Sequence, residues 1–167
     1  MKVFLVILTA LLLPIASTVN AQVSAEDTKT YIKTNLANQY LWTKFQVSFD
    51  GTKMTLEQSL KYVANGTITW EPTTYVVDLS NLDPASVEVW DYKVAGQGVM
   101  GKSIHFRTSD GSKRIDSSRS GAVSEFSLSY FNDDLAARLA NAFAHLISLS
   151  GGKPDPFKAA PANPESK

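Results

Sequence analysis

Near its C-terminal end the chain carries a stripe of side chains that must be laid against other apolar surface. Leu135, Leu139, Ala142, Phe143, Leu146 and Ile147 recur at i, i+4, i+7, i+8, i+11 and i+12, the spacing of one helical face. Asn132, Asp133 and Asp134 start that helix, because a short polar cap satisfies free amides and carboxylates complement the positive end of the helix dipole. Asp134 and Arg138 are spaced for an i, i+4 pair, and Gly151 supplies a left-handed stop. Whatever precedes this helix has to offer an apolar surface to cover.

What precedes it reads as short strands. Phe45, Val47 and Phe49 alternate with Gln46 and Ser48 and run into Asp50-Gly51, a hairpin pair. Residues 53 to 58 are strand-like, although Met54, Leu56, Leu60 and Val63 could also line a helix. Asn65-Gly66 turns the chain into Thr67 to Trp70, and Pro72 separates that run from a further strand, Thr73 to Leu79. Asp83-Pro84 opens a loop. Val87, Val89 and Tyr92 mark a strand that ends at Gly96, Gly98 and Gly101. Ile104 and Phe106 alternate with His105 and Arg107, Asp110-Gly111 gives a second hairpin signal before Lys113 to Asp116, and Val123 to Ser129 closes the series. Upstream, Ser24 caps a helix over residues 25 to 39 that carries Tyr31, Ile32, Leu36 and Tyr40. The expected order is helix, about seven strands, helix.

The two ends of the chain are different in kind. Lys2, the uncharged apolar run Val3 to Leu13, and Val19-Asn20-Ala21 have the layout of a cleaved export signal over residues 1–21. The run is too short for the ~20 residues of a membrane span, and no later segment resembles one. Residues 22–152 then form a single domain. Residues 153–167, with Pro154, Pro156, Pro161 and Pro164, have the composition of a disordered tail. The chain has 16 Lys+Arg against 16 Asp+Glu, so it lacks the excess charge that drives general phosphate binding, and no nucleic-acid partner is expected. Hydrophobic residues make up 44%, enough for a packed core. Cysteine is absent, which excludes disulfides, thiolate metal sites and a Cys nucleophile. In a disulfide-permissive compartment that absence fits a bacterial exported protein, periplasmic or extracellular.

A small, strongly bent antiparallel sheet followed by one amphipathic helix is the outline of a pleckstrin-homology-like barrel. The segment Val77-Asp78-Leu79-Ser80-Asn81-Leu82-Asp83-Pro84, the strand Val87-Glu88-Val89 and the helix from Asp133 to Ile147 resemble small bacterial exported proteins of that kind, over roughly residues 45 to 152. The resemblance implies an α+β barrel of about seven strands, with an N-terminal helix and a C-terminal capping helix, that binds peptides, protein surfaces or lipid headgroups. No dense Lys/Arg set occupies the first hairpin, so phosphoinositide binding is not implied.

The motifs that suggest chemistry have simpler readings. Gly96 to Ser103 satisfies G-x-x-x-x-G-K-[ST], but a P-loop needs a helix after its lysine, and Ile104 with Phe106 predicts a strand there. His105 should point outward from its strand, and His145 should border the polar face of the last helix. No serine lies in G-x-S-x-G. Glu125 and Asp116 are candidates for paired acids only if the fold brings them together. Asn65-Gly66-Thr67 is a sugar acceptor only in a eukaryotic host, and Asn-Gly serves as a turn without it. No catalytic, cofactor-binding or metal-ligating residue is nominated. Trp42, Trp70, Trp90, Tyr92 and Tyr130 are expected mostly in the core or at its rim. Any that are exposed would anchor a partner, and Trp90, Tyr92 and Tyr130 are the candidates. The expected role is a non-enzymatic binding module for a protein or peptide, held at a sheet edge or between the last helix and its neighbouring strand. The competing readings are a small-ligand carrier or enzyme using the barrel interior, and a self-associating envelope protein.

Overall fold

A computed structural model describes residues 23–37, 42–94, 96 and 98–154. The export signal expected over 1–21, most of the tail expected over 153–167, and Tyr40 lie outside the described residues.

Helix α1 (Ala25–Leu36) starts where Ser24 predicts: the Ser24 hydroxyl accepts from the Asp27 amide at 3.1 Å. Its last residues fall short of the expected 39, with the cap at Ala37. Among the described residues eight strands follow: β1 (Thr43–Asp50), β2 (Lys53–Ala64), β3 (Thr67–Asp78), β4 (Glu88–Val94), β5 (Gly98–Arg107), β6 (Ile115–Ser117), β7 (Gly121–Val123) and β8 (Glu125–Phe131), and α2 (Asp133–Leu149) comes after them. The fold is α+β and antiparallel. The expected bent sheet or barrel of about seven strands is replaced by two sheets, ordered β1-β2-β3-β6-β7 and β4-β5-β8, and the described residues form no closed barrel.

Two local features account for the difference. Pro72 does not divide β3. Thr74 turns its amide and carbonyl away from β2 and towards Ser118. Because backbone groups alternate sides along a strand, the Pro72 nitrogen faces the same edge, where β6 pairs only with Tyr75 and Val76. A proline is tolerated at such an open edge, so the two expected strands fuse into one of 12 residues. Asp110-Gly111, in turn, makes a turn but no hairpin. Arg114 holds Asp110 at 2.7 Å and reaches Asn81 at 3.3 Å, and the chain crosses from β5 into the other sheet.

A common core joins the two sheets. Tyr75 stacks on Phe126, Phe126 on Phe106, and Phe106 meets Phe143 of α2 edge-on. A second bridge stacks Phe45 of β1 on Phe131 of β8 at 5.1 Å. Helix α2 buries Leu135, Leu139, Phe143, Leu146 and Ile147, and full burial of one such side chain is worth about 1.5–3 kcal/mol. Asn132 caps it by accepting from the Leu135 amide at 2.8 Å.

Candidate functional site

The outward face of β4-β5-β8 gathers the residues with the strongest potential for contact. In β4, Val89 turns to the core while Trp90 and Tyr92 share the opposite face, as strand alternation requires. Register places Trp90 beside Ser103 and Ser129, and Glu88 beside His105 and Ser127. Trp90 is 53% exposed. Its indole is nonetheless fixed, since Nε1 donates to Glu88 Oε2 at 3.0 Å and the ring stacks on His105 with centroids 4.0 Å apart.

Tyr92 reaches Tyr130 across Gly101. The rings lie 4.4 Å apart, which needs an interruption in β8: Lys102 pairs with Phe131 and Ser103 with Ser129, leaving Tyr130 as the extra residue of a bulge. Tyr130 has φ 75°, a left-handed conformation uncommon for a bulky side chain. Gly101, at φ 147°, accommodates the bulge, because a Cβ there would stand 2.9 Å from the Phe131 carbonyl oxygen. Burial, a hydrogen bond with Tyr92 and the neighbouring phenols of Tyr92 and Tyr62 push the Tyr130 hydroxyl up to about 12, so it stays neutral at physiological pH.

Trp90, Tyr92 and Tyr130 therefore come together on one face. None of the five aromatics expected in the core or at its rim is fully buried: Trp42 and Trp90 are exposed, and Trp70, Tyr92 and Tyr130 half-buried. The core rings are phenylalanines and the partly buried Tyr75. Sequence reasoning did not find His105 as the base on which Trp90 rests. Its only signal was an outward position two residues from Ser103.

Ser103 Oγ and His105 Nε2 lie 2.9 Å apart, the beginning of a nucleophile-base couple. Ser103 is only 3% exposed, and the Glu88 carboxylate bonds Trp90, so the couple props the indole. Burial pulls the His105 pKa below its ordinary value, while Glu125 and Glu88 oppose the shift. Beside it lies a depression of about 170 Å³ bordered by Ser86, Glu88, Trp90, His105, Arg107 and Glu125. That is below the ~300 Å³ at which drug-sized ligands are usually held and suits one amino-acid side chain.

Gly98 to Ser103 belong to a strand, so no helix follows the P-loop-like lysine, and Lys102 pairs with Asp91 at 2.7 Å. Glu125 and Asp116 belong to different sheets. His145 bonds the Val23 carbonyl at 3.0 Å. The groove beside the last helix lies between α2 and α1, not between α2 and a strand; it measures about 520 Å³ and includes Tyr31, Ala142 and His145. Among the described residues no cluster of three His, Asp or Glu could hold a metal, and no helix is long and apolar enough to cross a membrane.

The fold and its aromatic face define an α+β protein of two antiparallel sheets closed by a C-terminal helix. Comparison with known protein families, curated proteins and solved structures finds no match.

Proposed function

We propose that this chain is an exported, non-enzymatic binding module, pleckstrin-homology-like in kind, that seats an extended protein or peptide segment along β4. The observation that carries this reading is the pre-ordered aromatic face of Trp90, Tyr92 and Tyr130 beside an edge strand. Among the described residues β4 pairs with β5 alone, and a strand at a sheet edge is a template for a peptide in extended form. Alternate side chains of such a peptide would meet the Trp90–Tyr92 face, with one entering the depression at His105. Export to a bacterial periplasm or the medium belongs to the same proposal and rests on residues 1–21. The interior-carrier alternative is disfavoured by the run of stacked rings filling the space between the sheets.

The test is a quantitative pull-down of tagged protein from its own host's envelope and culture fluid, comparing wild type with Trp90→Ala and Tyr130→Gly. A stoichiometric partner should be captured by wild type and lost by at least tenfold with either variant, as for interface hot spots. Tyr130→Gly also relieves a backbone conformation costing about 1–2 kcal/mol, so its melting temperature should not fall with its binding. Equal capture by all three proteins would overturn the reading.

A further inference from the structure

At one end of the molecule two hairpins lie together, and exposed apolar side chains stand directly behind the Asn65-Gly66 turn of one and along β5 of the other. In the β2–β3 hairpin Val63 pairs with Ile68 across the strands, and the two are 56% and 55% exposed. In the β4–β5 hairpin Val99 is 55% exposed and pairs with Lys93. The same end is shared because Phe45, near the start of β1, stacks on Phe131, whose strand partner Lys102 lies two residues from the exposed Met100. The backbone of Lys61 bonds that of Trp42 at 2.9 Å, which brings the approach to β1 to the same place.

Behind the Asn65-Gly66 turn, aromatic and cationic side chains interleave. The Lys44 ammonium sits over Trp70 at 4.1 Å and that of Lys61 over Trp42 at 5.4 Å. Lys61 and Trp70 are themselves a cross-strand pair, two residues below Val63 and Ile68. Two residues of strand span about 7 Å, within the ~5–10 Å to which interfacial segments bury their apolar face in a bilayer. Residues 58–70 and 92–106 contain no Asp or Glu. Among the described residues Lys44, Lys61 and Lys93 form no ion pair; Lys93 lies in the field of the Asp91 carboxylate, which Lys102 holds at 2.7 Å. Aliphatic side chains next to the turn, tryptophans one step behind them and the ammoniums of Lys44 and Lys61 over those indoles reproduce the depth order of a lipid interface: acyl boundary, aromatic belt, anionic headgroups.

We propose that this end is a membrane-contact surface. The exposed side chains of Val63, Ile68, Val99 and Met100 enter the boundary layer of a bilayer bearing anionic lipid, Trp42 and Trp70 lie at headgroup depth, and Lys44, Lys61 and Lys93 meet the phosphates. Trp90 lies three residues along β4 from Lys93, the partner of Val99, about 10 Å, and stays outside the contact layer.

The test uses the full chain with phosphatidylcholine vesicles, with and without phosphatidylglycerol, and with brominated lipid as a short-range quencher of tryptophan. Residues 1–21 are common to every protein compared, and position is read at individual tryptophans. Trp42 and Trp70, observed in a Trp90→Phe variant, should be quenched on phosphatidylglycerol vesicles. Trp90, observed in a Trp42→Phe/Trp70→Phe variant, should not. Val63→Asp/Ile68→Asp should abolish the quenching, and each Lys→Gln change should weaken it about fivefold; circular dichroism would verify that these surface variants fold. Unquenched Trp42 and Trp70 on vesicle-bound protein would overturn the proposal, as would quenching insensitive to both sets of substitutions. So would a concentration-dependent dimer that Val63→Asp dissolves, since a second copy would then be covering those side chains.

Discussion

Tyr130 is the residue whose setting says most about the site, and almost none of that setting can be read from the sequence. Its aromatic type made it a candidate, but the bulge that turns it onto Tyr92 depends on a register shift against β5 and on Gly101 opposite. A pattern of alternating residues carries no mark of either. His105 is similar: its outward position follows from Ile104 and Phe106, whereas its stacking under Trp90 needs the β4–β5 register. That stacking has a consequence for pH dependence. Burial lowers the His105 pKa beneath its ordinary 6.5, so as pH falls the unfolded chain takes up this proton first. Stability from the neutral ring is whole above 6.5 and is lost as pH falls from 6.5 towards the folded-state value. Asp78, Asp91 and Asp110 are held low chiefly by hydrogen bonds from Ser80, Lys102 and Ser112 respectively, and their contributions are lost only further into acid. Thermal melts of wild type should therefore show a decline below pH 6.5, before carboxylates titrate, that is reduced in His105→Gln. Parallel melting curves for the two proteins across that range would refute the assignment.

Elements were legible wherever a local signal coincided with the final packing. Asn65-Gly66 fills the two-residue turn between the paired Ala64 and Thr67, the first hairpin turns at Gly51-Thr52, one residue beyond the start of the expected Asp50-Gly51 pair, and Ser24 and Asn132 cap their helices. Misreadings came where tertiary context decided: Pro72 is tolerated only because β3 has an open edge, and β6 and β7 are three-residue strands that exist through their pairing with β3 and with each other. The end of α2 makes the same distinction within one dipeptide. Gly151 was expected as the left-handed stop and has φ 87°. Gly152 is needed for a reason invisible in sequence: a Cβ there would stand 2.7 Å from the Leu82 carbonyl oxygen and collide with Ile147. Gly151→Ala, with open space around it, should cost about 1 kcal/mol. Gly152→Ala forces α2 away from the turn at Leu82 and should cost more, with the difference read from denaturant midpoints at unchanged slope. Equal costs would mean that the chain relaxes freely there.

At the scale of the molecule the question is whether two sheets make one folding unit. Their separation in hydrogen bonding would allow each to melt alone, but their side chains argue otherwise. Tyr75 of β3 stacks on Phe126 of β8, and Phe45 of β1 on Phe131, so either sheet leaving the other would expose ring surface at two places. Phe106 and Phe143 extend the first contact into α2, and the helix therefore cannot detach without opening the same core. Small domains with one continuous core unfold as a unit. The tryptophans are placed to test this, since Trp90 reports on β4-β5-β8 while Trp42 and Trp70 report on the β1-β2-β3 side. A Trp42→Phe/Trp70→Phe protein and a Trp90→Phe protein, each followed by fluorescence and by circular dichroism, should give one midpoint within each protein. Phe106→Ala added to either should lower stability by about 3–5 kcal/mol and move both signals together. If its loss displaced the Trp90 transition and left that of Trp42 and Trp70 in place, the sheets would be separate units and the stacked rings only a contact between them.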